Sequence, residues 1–81
     1  RVATEPPRIL LPRPGAYLAA GDSLPLAFSA ARNEALLWFV DGEFIGQFAA
    51  RAAVALPRGL HCVDGVRPGL GTADRITVRI D

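Results

Sequence analysis

A-L-L-W-F-V-D-G-E-F-I-G-Q-F, residues 35–48, decides the fold. Two runs rich in aromatic and aliphatic residues, Ala35 to Val40 and Glu43 to Phe48, flank Asp41-Gly42. Aspartate and glycine tolerate the positive φ of a type I′ turn, so this is a strong hairpin signal. With a two-residue turn, Val40 faces Glu43, Phe39 faces Phe44, Trp38 faces Ile45 and Leu37 faces Gly46. Side chains alternate along a strand. Leu36, Trp38, Val40 and Ile45 therefore share one face, and Leu37, Phe39 and Phe44 the other. A sandwich buries one face of each sheet, and the set with the tryptophan is the better core. Phe39 and Phe44 are left outside as a cross-strand aromatic pair and, with Leu37, form the candidate interaction surface. An exposed apolar patch marks an interaction site, unless Ala16 to Ala20 of the same domain covers it. Both readings stand at this point.

Outward from the hairpin, proline and glycine punctuate the chain at spacings that suit a sandwich or barrel. Pro6-Pro7 favours an extended lead, and Arg8 to Leu11 reads as a first strand ended by Pro12-Arg13-Pro14-Gly15. Tyr17 to Ala20 fits either strand or loop. Ser23 to Ser29 alternates, with Leu24, Leu26 and Phe28 on one side; Pro25 lacks a donor and belongs at an edge or bulge. Ala30 to Glu34 is a polar connection. Arg51 to Leu56 is short enough to favour a strand over a helix. Leu60 to Val66 is a strand with a bend expected at Asp64-Gly65, and Pro68 to Thr72 is a glycine-rich loop. Arg75 to Ile80 alternates cleanly, with Ile76, Val78 and Ile80 inward. The expectation is an all-β, immunoglobulin-like antiparallel sandwich of about seven short strands. Residues 1–7 read as a linker, 8–81 as one domain, and the whole as a piece of a longer protein.

Composition excludes several functions. The 81 residues allow one domain, and half of them (51%) are apolar, which makes the chain globular. A net charge of +1 with scattered arginines gives no footprint for nucleic acid. The longest apolar run, Ala35 to Val40, is too short to span a membrane.

The chemistry-bearing residues are few. Cys62 is the one cysteine, so no intrachain disulfide forms. His61 and Cys62 adjoin in a strand and point to opposite faces, which rules out a bonded Cys–His pair. Cys62 reads as a small core residue, and His61 as a cap on a strand pairing or a surface group. One cysteine and one histidine fall short of a zinc site. Asp41, Asp64 and Asp74 form no calcium-loop pattern, and Gly69-Leu70-Gly71-Thr72 lacks the lysine of a phosphate loop. No catalytic residue, cofactor or metal is expected.

Three stretches carry a resemblance. Glu5-Pro6-Pro7-Arg8-Ile9-Leu10-Leu11-Pro12-Arg13-Pro14-Gly15 is a proline-rich lead into a strand and turn. Leu36 to Gly46 holds the string W-F-x-D-G-x-x-x-G. Pro57-Arg58-Gly59-Leu60-His61 opens a later strand where such domains tend to carry Pro-Gly-x-His. Together they resemble the C-terminal domain of bifunctional penicillin-binding proteins of the 1C type, over nearly the whole chain. One departure concerns the last hairpin. The family usually runs Val-x-Asp-x-x-Gly there, whereas this chain has Val66-Arg67-Pro68-Gly69-Leu70-Gly71, with Asp64 earlier. The shape of that hairpin is not carried over.

The resemblance implies a non-catalytic accessory domain of a periplasmic peptidoglycan synthase, anchored elsewhere in the inner membrane. Glycosyl transfer and transpeptidation would belong to other domains. A penicillin-sensitive transpeptidase needs a serine followed one helical turn later by a lysine, and this chain has no lysine. The partners implied are the catalytic domains of the parent chain or another cell-envelope protein. A peptidoglycan-binding module and a spacer in a bacterial surface protein are the alternatives. Against the glycan reading, aromatic residues are scarce, with one Trp and one Tyr.

Overall fold

A computed structural model of the chain describes residues 5–49 and 51–81. The described residues form eight strands: β1 (Ile9–Leu11), β2 (Gly15–Tyr17), β3 (Ser23–Ala30), β4 (Leu36–Val40), β5 (Glu43–Phe48), β6 (Ala52–Pro57), β7 (Gly59–Val66) and β8 (Ala73–Ile80). A 3-10 turn, Ala31–Asn33, joins β3 to β4. The strands form two sheets, in the orders β1-β3-β6 and β2-β8-β7-β4-β5. Every pairing is antiparallel except β2 with β8, which is parallel. The all-β sandwich expected from the sequence is present, with one strand more than expected. That strand is β2. Gly15-Ala16-Tyr17 is too short to show a period, and Gly and Ala have low strand propensity; it forms because the end of β8 offers it a ladder.

The core lies between the sheets. Phe28, Ala30 and Leu56 from one sheet meet Leu36, Trp38, Val40, Val63, Val78 and Ile80 from the other. Trp38 is at its centre, fully buried, with the Phe28 ring centroid 5.3 Å away. Its indole Nε1–H donates to the Phe48 carbonyl at 3.2 Å, which satisfies the polar end of an otherwise apolar group. Leu24, Leu26 and Phe28 face inward, as do Ile76, Val78 and Ile80. Pro25 lies where β3 has only β6 beside it, since β1 reaches only Ser29 and Ala30. Pro25 pairs with Ala55 and Ser23 with Pro57, two residues apart on one ladder. Antiparallel pairs alternate in bonding class, so both imides fall on the parity that needs no donor.

Three expectations need correction. The β4–β5 hairpin starts in the expected register, Val40 with Glu43 and Phe39 with Phe44, but then shifts, and Trp38 pairs with Gly46 and Leu37 with Gln47. Ile45 is the extra residue of a β-bulge. It is 40% exposed instead of buried, and Phe48 takes its place, its ring stacked on Trp38 at 5.5 Å and 12°. Cys62 is only half-buried and points away from the core, because the alternation of β7 turns His61, Val63 and Gly65 inward. The bend expected at Asp64-Gly65 is absent; β7 pairs with β8 without a break from Gly59 to Val66.

Candidate functional site

The parity that buries Leu36, Trp38 and Val40 sends Leu37 and Phe39 to the outer face of the five-stranded sheet. Phe44, opposite Phe39, joins them there. The Phe39 and Phe44 rings have centroids 5.5 Å apart with planes inclined at 57°, a tilted contact favoured by aromatic quadrupoles. Phe44 is 55% exposed, while Leu37 and Phe39 are half-buried by their neighbours. Register extends the face across the sheet. Phe39 adjoins Asp64, which pairs with Arg75, and Leu37 adjoins Val66. The Arg75 guanidinium donates to Asp64 through Nε at 2.7 Å and Nη2 at 3.3 Å. An aromatic pair thus grades into a forked ion pair along one line of the sheet.

Ala16 to Ala20 does not cover this face. Ala16 and Tyr17 belong to β2, at the edge of the sheet opposite β5, with β8, β7 and β4 between. Among the described residues, the outer face around Phe44 is an exposed apolar patch with a charged flank.

The titratable groups lie apart from it or serve the fold. Asp41 occupies the first turn position at φ 53, followed by Gly42 at φ 84, the backbone a type I′ turn requires. Its Oδ1 accepts the Cys62 N–H at 2.9 Å, and its Oδ2 bonds His61 Nδ1 at 2.7 Å. His61 Nε2 bonds the Pro57 carbonyl at 2.7 Å. Both ring nitrogens therefore face acceptors, and only the imidazolium carries an N–H on each. The bond to Asp41 raises the His61 pKa above its ordinary 6.5, and the bond from His61 lowers that of Asp41. Asp64 is engaged by Arg75, and Asp74 accepts the Ile9 N–H at 2.8 Å. The three aspartates do not converge, and no group of three His, Cys, Asp or Glu with metal-binding geometry occurs among the described residues. Cys62 and His61 lie on opposite faces of β7.

Sequence reasoning missed the second ionic site. Arg67, in the β7–β8 loop, is buried and forks onto Glu34, which lies 33 residues away. No periodicity or spacing signals such a pair.

One comparison with known proteins gives a match. A model of the penicillin-binding protein C-terminus family matches residues 1–65. The match stops just before Val66, where the chain leaves the pattern expected of the last hairpin. No curated protein matches, and no solved structure does.

Proposed function

Because the chain belongs to the penicillin-binding protein C-terminus family, we propose that it is a non-catalytic accessory domain of a bacterial peptidoglycan synthase. In this reading it works by laying the outer face of its five-stranded sheet on a catalytic domain of the same protein. The parent is a bifunctional transglycosylase and transpeptidase, and the module faces the periplasm. No helix of the described residues is long and apolar enough to cross a membrane.

One observation carries the docking reading: the Phe39–Phe44 pair stands on the outer face with Phe44 more than half exposed, and no segment of the described chain covers it. Aromatic residues at the centre of a patch are the groups that dominate interface energies. The flanking Asp64–Arg75 pair supplies a polar rim. The tilt of the two rings does not form the flat platform on which a sugar ring would stack.

The test is titration of the labelled module with the transpeptidase domain of its parent, using Phe39→Ala and Phe44→Ala. Loss of an aromatic anchor costs about 2 kcal/mol or more, roughly thirtyfold in Kd. Variants that fold normally and bind the domain as before remove this reading. Shifts produced by peptidoglycan fragments instead would make the module a glycan binder.

A further inference from the structure

The segment leading into β1 has the composition of a linker, yet from Glu5 onward it is fastened to the sandwich. The buried Arg67 guanidinium donates through Nε and Nη2 to the two carboxylate oxygens of Glu34, at 2.5 and 2.9 Å. Its Nη1 donates to the backbone carbonyl of Glu5. Glu34 alone would satisfy the charge; the further bond fixes the path of the main chain. The Glu5 carboxylate in turn pairs with Arg32 at 2.7 Å. Arg32 and Asn33 hold φ of 62 and 52, a region that arginine rarely enters. Backbone strain of this kind persists only where surrounding contacts over-determine it.

The attachment continues along the segment. Pro7 is buried. The Arg8 carbonyl accepts the Ala31 N–H at 2.9 Å, and the Ile9 N–H donates to Asp74 at 2.8 Å. The prolines at positions 6 and 7 have their φ fixed by the ring. Between this segment and the 3-10 turn lies a cavity of about 160 Å³ lined by Glu5, Arg8, Arg32, Glu34 and Arg67 among others.

We propose that Glu5–Arg8 is a fixed strap, clasped by Arg67, that holds the main chain at Glu5 on one path over the module and so fixes the point and direction from which the module is tethered to its parent. This rests on the reading of the chain as the C-terminal module of a larger synthase. A loose tether would let the docking face sample many directions. A clasped proline strap takes residues 5–8 out of the tether, and a shorter tether raises the effective concentration of the face at its site. Arg67 is a positioning residue here.

The experiment uses the full-length parent with one nitroxide on the catalytic part and one at Ala53→Cys, an exposed site on β6, in a Cys62→Ser background. Pulsed dipolar spectroscopy reads the width of the distance distribution. The expected result is a narrow distribution that broadens about twofold or more in Arg67→Ala, as a tether gains flexibility, while the Trp38 fluorescence of the module alone stays native. Should Arg67→Ala fail to fold, two milder variants take its place. Arg67→Lys keeps the charge but loses the fork and is expected to broaden the distribution; Arg32→Ala removes the exposed pair to Glu5 while the Arg67 bonds remain, and is expected to broaden it less. A width unchanged in the folded clasp variants, or already broad in the unsubstituted protein, overturns the strap. Binding lost in the Phe39 and Phe44 variants with no clasp effect overturns the strap alone. Clasp-dependent width with no effect of those variants removes the docking face and keeps the strap.

Discussion

Gly65 is an inward position of β7 placed over the tryptophan, and it is where the packing of the sandwich is most exposed to test. A Cβ built there would lie 2.8 Å from Leu36 Cδ1, 3.4 Å from Ile9 Cγ1 and 3.5 Å from Trp38 Cζ3. The first distance is an overlap, and Leu36 and Trp38 are fully buried, so relief must come from a displacement within the core. Inserting a methyl into a filled core costs about 1–3 kcal/mol. Replacing glycine by alanine within a strand returns about 0.5–1 kcal/mol, because glycine loses more freedom on folding. The clash falls on a fully buried side chain hemmed in by the core, where the overlap outweighs the entropic gain, and Gly65→Ala is expected to destabilise by about 1–2 kcal/mol. For a small domain that lowers the urea midpoint by roughly 0.5–2 M and Tm by roughly 5–15 °C. Urea titration followed by the fluorescence of Trp38 reads it out, since the chain holds one tryptophan. Gly21→Ala is the control: a Cβ at Gly21 meets nothing within 4 Å. If Gly65→Ala matches the control or gains stability, the account of the core around Trp38 is wrong.

The other predictions concern the surface and the hairpin turn. Phe44→Ala should cost little stability, about 0.2–1 kcal/mol by thermal melting, because a cross-strand pair on an open face contributes no more than that; a larger loss would mean that the ring is covered. His61 gives a pH dependence. Its folded pKa lies above the ordinary 6.5 because of the Asp41 bond, so its contribution is fully present below about 6.5 and is lost as pH rises through the folded value. Tm should therefore fall on the alkaline side of 6.5, and Asp41→Asn, which keeps a turn-competent residue before Gly42, should flatten that fall. A profile unchanged by Asp41→Asn would dismiss the charged pair. Cys62 is half-buried on the outer face, so a thiol reagent should label it in the folded protein, and the docked catalytic domain should slow the labelling; equal rates with and without the partner would place the contact elsewhere.

How much of this was legible in the sequence depends on the range of the interaction. Alternation in β3 and β8 and the Asp41-Gly42 turn are local, and they appear in the fold as read. The inward set Leu36, Trp38 and Val40 followed from the same alternation. The bulge at Ile45 did not, because a single inserted residue leaves no trace in the pattern, and here Phe48 is the ring that completes the core. The facing of Cys62 turned on which parity of β7 packs inward, a tertiary fact that two adjacent residues do not reveal. The outer position of Leu37, Phe39 and Phe44 was read from the turn, and the bulge spared it because the shift begins beyond the Phe39–Phe44 pair. The Arg67–Glu34 fork and the Asp41–His61 bond join residues 33 and 20 positions apart. Only the pairing of β4 with β7, strands distant in sequence, brings them together.

The central claim is that the outer face of the five-stranded sheet is where this module meets a catalytic domain of its parent. The most direct measurement is a backbone NMR spectrum of the labelled module, alone and then with that transpeptidase domain. The account predicts shifts clustered on Leu37, Phe39 and Phe44 and extending to Asp64 and Val66 on β7. Shifts confined to the three-stranded sheet, or none at high partner concentration, would contradict it.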